Sequence, residues 1–147
     1  MALSDDLREL YQQVILDHSR NPRNQGQFSS DSCVHIHSDN PTCGDEIDLY
    51  IRFNEDGSIC DIKFEGQGCA ISQASASMMT EKVKGISREA ILQLIQDLQH
   101  TVLGSGQIRN PESLGELQLL ESVQKFPQRI KCALLSWQGL DRALSDL

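Results

Sequence analysis

Between Cys33 and Glu65 apolar and polar side chains alternate, whereas the stretches on either side repeat their apolar residues at helical spacing. A period of two belongs to a strand with one buried face, and a period of 3.6 to a helix with one buried stripe. Val34 and Ile36 alternate with Cys33, His35 and His37. Ile47, Leu49, Ile51 and Phe53 alternate with Asp48, Tyr50 and Arg52, and Cys60, Ile62 and Phe64 with Asp61, Lys63 and Glu65. Asn54-Glu55-Asp56-Gly57 between the last two runs is a hairpin signal. The pattern predicts a three-stranded antiparallel meander, wet on one face and covered by helices on the other.

The flanking segments supply those helices. Ser4 to Arg20 carries Leu7, Leu10, Tyr11, Val14 and Ile15 at helical spacing, and Asn21-Pro22 ends it. After Gly66-Gln67-Gly68, residues 69–84 are rich in Ala, Ser and Met and end at Gly85. A run from Ser87 to about Leu103 follows, then a loop marked by Gly104-Ser105-Gly106 and Asn110-Pro111, then a short helix near Leu114–Lys125 broken at Pro127. The last helix starts at Gln128, with Ile130, Ala133, Leu134, Trp137, Leu140 and Leu144 as its buried stripe. The fold class is α+β, an N-terminal helix and a three-stranded sheet with helices on one face, and residues 1–147 form a single domain.

Composition excludes several functions. With 147 residues the chain can bury a core of its own. The net charge of −8 argues against binding nucleic acid, which needs clustered Lys and Arg. No apolar run reaches the roughly 18–20 residues of a membrane span. The start, Met1-Ala-Leu-Ser-Asp-Asp, has no basic and apolar export signal, so a cytoplasmic location is expected. In such a chain five widely spaced cysteines point to metal binding or reactivity before disulfides.

Three cysteines sit where chemistry is plausible. Cys43 lies in a loop bounded by Pro41 and Gly44, with Asp45 two residues on. Cys69 falls at a strand-to-helix junction, where helix amides favour a thiolate. Cys132 lies on the last helix about 100° from the buried stripe, on a face with Arg129 and Ser136. Three thiolates and a carboxylate would suit zinc or an iron–sulfur cluster, and Arg129 would offset their charge. Intervals of 26 and 63 residues between these cysteines match no local zinc motif, and a cysteine taken singly is more often a buried apolar group than a ligand. Cys60 reads as a core residue beside Ile62 and Phe64. Cys33, His35 and His37 read as the wet face of an edge strand, His18 as packing near the helix end, and Met78 and Met79 as core or helix surface.

The motifs, taken in order, resemble the U-type iron–sulfur assembly family of IscU, SufU and the N-terminal part of NifU. They are Leu10-Tyr11-x-x-Val14-Ile15-Leu16-Asp17-His18-x-x-Asn21-Pro22-Arg23-Asn24, Asn40-Pro41-x-Cys43-Gly44-Asp45, Phe64-x-Gly66-x-Gly68-Cys69-Ala70-Ile71-Ser72, and Arg129-x-Lys131-Cys132-Ala133-x-Leu135-x-Trp137. The resemblance is nearer to SufU than to IscU. Ala70-Ile71-Ser72 follows Cys69, about twenty residues around Leu98–Leu117 are extra, and Lys131 stands where IscU proteins have histidine. Lys125-Phe126-Pro127-Gln128-Arg129 replaces the chaperone-binding stretch of IscU, which argues against a dedicated chaperone partner.

The resemblance implies a SufE/NifU-like fold and a zinc ion held by Cys43, Asp45, Cys69 and Cys132. It implies a PLP-dependent cysteine desulfurase of SufS type as partner, with downstream Suf components or apo-proteins as recipients. Cys43 would accept persulfide sulfur and pass it on, with Arg129 in a supporting role, so the protein would be a sulfur carrier rather than an enzyme. Two alternatives stay open: a scaffold that assembles a transient [2Fe–2S] cluster, or holds iron, on the same ligands, and a zinc domain with a purely structural role.

Overall fold

The computed structural model describes residues 5–28, 33–41, 44–104, 106 and 111–145. Helix α1 spans Asp5–Arg20 and closes with Asn21 N–H on Asp17 C=O at 2.8 Å. Strands β1 (Val34–Asn40), β2 (Asp45–Phe53) and β3 (Ile59–Gln67) follow, hydrogen-bonded in the order β1-β2-β3 and antiparallel throughout. The register pairs His37 with Asp48 and Leu49 with Phe64. Ile47, Leu49, Ile51, Ile59, Ile62 and Phe64 are wholly buried on the face covered by α2 (Ala70–Val83) and α5 (Pro127–Ser145). The chain just after α1 covers the outer edge of β3. Gly26 N–H bonds Phe64 C=O and Phe64 N–H bonds Asn24 C=O, which protects that edge from further pairing.

The predicted side of Cys60 needs correction. Arg52 pairs with Asp61 but Phe53 pairs with Ile59, so Cys60 is the extra residue of a β-bulge and is exposed. Ile59 takes the core position that strict alternation gave to Cys60. The hairpin itself forms as predicted, with Gly57 at φ +88° and Asp56 accepting from Ser58 N–H at 2.9 Å.

Helix α2 is buried nearly all round, which is why its sequence lacks a polar face. Its buried hydroxyls are satisfied. Ser75 Oγ donates to Ala133 C=O at 2.6 Å and accepts from Trp137 Nε1–H at 3.0 Å, while Ser77 Oγ accepts from Arg23 N–H at 2.8 Å. Met78 and Met79 are core residues. Helix α3 (Arg88–Leu103) is capped by Ser87, whose side chain accepts from Ala90 N–H, and ends at Gly104 with φ +69°.

The short α-helix expected near Leu114–Lys125 is mostly a different structure. Four residues, Pro111–Leu114, form α4, and Gly115–Lys125 is a 3-10 helix. Leu114, Leu117, Leu120 and Val123 recur every third residue, and all four are buried; three residues per turn stacks them in one row. Pro127 opens α5 rather than breaking a helix, since the first helical position has no amide to satisfy. The 104–110 loop, apart from Gly104 and Gly106, and the capping role of Ser4 lie outside the described residues.

Candidate metal centre

Asp45 begins β2 and is 1% exposed, so its carboxylate needs partners within the protein. One oxygen, Oδ1, accepts the backbone N–H of Cys69 at 2.9 Å, and the other, Oδ2, lies 3.8 Å from Cys69 Sγ. That contact ties the start of β2 to the start of α2. Gly68 makes it possible. A β-carbon there would stand 2.1 Å from Asp45 Oδ1, and the residue's φ is +152°. Cys69 occupies the N-cap position of α2, but its thiol makes no capping hydrogen bond; Ser72 Oγ donates to the Cys69 carbonyl at 3.0 Å.

Cys132 comes from α5 and completes a cluster in which ligand atoms of Asp45, Cys69 and Cys132 lie within 4.8 Å of one another. Its side chain points inward, contrary to the placement off the buried stripe. Cys132 is 4% exposed and Ser136, one turn on, is also buried. The stripe was too narrow because α5 packs at once against α2, α3, the sheet and the 3-10 helix. Burial pushes the Cys132 thiol well above its ordinary range; hydrogen bonding with Asp45 and Cys69 and their negative charge act in the same direction.

A cation would relieve this crowding, and the donor set fits one. Tetrahedral zinc with bonds of about 2.0–2.3 Å sets its ligands about 3.3–3.8 Å apart. The 3.8 Å between Cys69 Sγ and Asp45 Oδ2 lies at the upper end of that range. Two buried polar atoms without a hydrogen-bond partner, Gln73 Nε2 and Ser136 Oγ, lie one helical turn beyond Cys69 and Cys132. Sequence reasoning used Gly68 only as a mark of the strand-to-helix junction and of the family motif, and did not single out Gln73.

Of the predicted ligands, Asp45, Cys69 and Cys132 come together. The connection between the paired residues Asn40 and Asp45 contains Cys43, which lies outside the described residues. Arg129 is exposed, one turn before Cys132, with its guanidinium 5.3 Å from the ring centre of the exposed Phe126. His18 serves elsewhere: it is buried, with Nδ1 2.7 Å from Ser77 Oγ and Nε2 near Glu81 and Glu116.

An antiparallel sheet covered by helices, with two thiols and a carboxylate brought within 4.8 Å of one another, defines a small α+β protein with a group of side chains that could hold a metal ion. Residues 10–133 match the family described as NifU-like N terminal domain, and the chain belongs to it. It is 44% identical over 146 residues to the zinc-dependent sulfurtransferase SufU of Bacillus subtilis, covering 99% of this chain and 96% of that protein. It is 47% identical over 146 residues to the iron–sulfur cluster assembly scaffold protein IscU of Streptococcus pyogenes, covering 98% and 87%. FiSufU of Fervidobacterium islandicum, a candidate iron–sulfur scaffold protein for the SUF system, superposes with a TM-score of 0.83 at 35% identity, covering 93% of this chain and 98% of that one. Among the described residues no helix is long and apolar enough to cross a membrane.

Proposed function

We propose that this protein is a zinc-dependent sulfur acceptor for iron–sulfur cluster assembly, with Cys43 as the receiving thiol and Asp45, Cys69 and Cys132 as the remaining metal ligands. The observation that carries the reading is the meeting of those last three side chains from three separate segments, each donor within 4.8 Å of the others. Bound zinc would hold the ligating thiols deprotonated yet masked until a partner arrives. A carboxylate is a harder ligand than a fourth thiolate, which suits an exchangeable centre.

The transfer is a thiol exchange. The Cys43 thiolate attacks the outer sulfur of a persulfide on a cysteine desulfurase; a new S–S bond forms on Cys43, the donor's S–S bond breaks, and the donor cysteine leaves as thiolate. No external oxidant is required, because the sulfane sulfur keeps its oxidation state. Arg129, exposed one turn before Cys132, is assigned the role of offsetting the negative charge of three thiolates and one carboxylate around a divalent ion. A PLP-dependent desulfurase of SufS type is the expected donor, and Suf components or apo-proteins the recipients.

A second reading has support in the relatives named as scaffold proteins: the same ligands would carry a transient [2Fe–2S] cluster. One experiment separates the two. Metal content is measured on anaerobically purified protein, and desulfurase turnover is followed with wild type and with Cys43→Ala. Zinc in the wild type, stimulation by it and none by Cys43→Ala support the acceptor reading. Undiminished stimulation by the variant contradicts it, and iron with acid-labile sulfide in place of zinc favours the scaffold.

A further inference from the structure

The wet face of the sheet carries a cluster of two histidines and a carboxylate, outside the thiol centre. Strand periodicity puts His35 and His37 on the same face of β1, two residues apart, and the register sets Asp48 directly opposite His37. One carboxylate oxygen serves both rings: Asp48 Oδ1 is 2.8 Å from His35 Nε2 and 3.0 Å from His37 Nδ1. Tyr50, opposite His35, stacks on that imidazole with centroids 4.7 Å apart and planes 6° from parallel, which steadies its orientation. The next rung of the ladder is Asp39 opposite Glu46, and Glu65 lies across from Asp48, so carboxylates surround the pair. The cations of this face, Arg52 and Lys63, sit over the Phe28 ring at 4.1 and 5.2 Å from its centre.

We propose that His35, His37 and Asp48 form an exchangeable site for a first-row divalent transition-metal ion. Two imidazoles and one carboxylate make a donor set that suits iron, nickel, copper and zinc, and that leaves other coordination positions to water. An octahedral ion with bonds of about 2.1 Å holds neighbouring donors about 3.0 Å apart, close to the two nitrogen–oxygen separations present. The rings flank the carboxylate oxygen rather than converge on one point, so an entering ion closes the site by turning the two imidazoles, which are about half exposed. Exposure and the need to close make the site weak and fast to exchange, unlike the thiol centre, where Asp45 and Cys132 are buried. Asp48 lies on the opposite face of β2 from Asp45, three residues or about 10 Å along the strand. The site therefore stands or falls independently of what the thiols do.

The test uses the full chain with its thiol centre loaded with zinc and Ni²⁺ as the probe, followed by calorimetry, with zinc retention checked by metal analysis. Wild type is expected to take up one Ni²⁺ beyond its zinc. His35→Gln, His37→Gln and Asp48→Asn should each weaken that uptake at least about tenfold, and the double histidine variant should lose it. Unchanged zinc content and thermal midpoint in these surface variants show that the fold is intact. Equal Ni²⁺ affinity in the double variant would locate the ion elsewhere and overturn the proposal. So would the absence of any Ni²⁺ uptake by the zinc-loaded wild type.

Discussion

A methyl group on Gly68 would stand 2.1 Å from Asp45 Oδ1, 2.8 Å from Asp45 Cγ and 2.9 Å from Ser72 Oγ. Ordinary contact begins at 3.4 Å, so in Gly68→Ala the Asp45 carboxylate has to withdraw by about 1.3 Å. Metal bonds tolerate displacements of about 0.2 Å, so the carboxylate cannot keep its place in a zinc shell. The same movement breaks the hydrogen bond from Cys69 N–H, a bond to a charged acceptor of about 1.5–3 kcal/mol. Zinc affinity should fall about 10- to 100-fold, the range seen when supporting groups of a metal site are lost. Competition against a chromophoric chelator measures this directly. Gly57→Ala is the control: its φ is +88° and nothing lies within 4 Å of the added carbon. It bears backbone strain of about 1 kcal/mol and should leave zinc binding unchanged. If folded Gly68→Ala holds zinc as tightly as wild type, Asp45 is not a ligand in the geometry described.

Further expectations concern the framework. His18 is held below the ordinary 6.5 by burial first and by Arg23 second, against the opposing pull of Glu81, Glu116 and Asp17. The unfolded chain takes up this proton more readily than the folded one, so stability rises with pH between the lowered folded value and 6.5, then levels off. Denaturant midpoints between about pH 5 and 7 should therefore climb less steeply in His18→Gln, and an NMR titration placing His18 at or above 6.5 would refute the assignment. Ser75→Ala strips the buried Trp137 indole N–H of its acceptor. The expected cost is about 1–3 kcal/mol and a fall of several degrees in Tm, read by indole fluorescence; an unaltered midpoint would mean that another acceptor takes over.

Local patterning carried most of the architecture. The switch from a period of two to one of 3.6 located the sheet and the helices, and Asn54–Gly57, Ser87 and Gly104 marked a hairpin and two helix ends, because each acts on neighbours within four residues. Where local rules competed, the packed structure decided. A bulge at Cys60 exchanged a predicted core position with Ile59, and a row of apolar residues at every third position, Leu114 to Val123, was accommodated by a 3-10 helix in place of an α-helix.

The site divides the same way. Residue type and family resemblance put Cys43, Asp45, Cys69 and Cys132 forward as candidate ligands, but no spacing rule brings Asp45 to Cys69, 24 residues on, or either to α5. Helix α5 turns Cys132 inward because it is packed on several sides at once, which a single-stripe reading cannot represent. The pairing of His35 and His37 with Asp48 likewise follows from strand register, a property of two segments together. Sequence periodicity reports which face of an element is buried; which faces meet is fixed only when the elements pack, since distant groups become neighbours through the shared core and not along the chain.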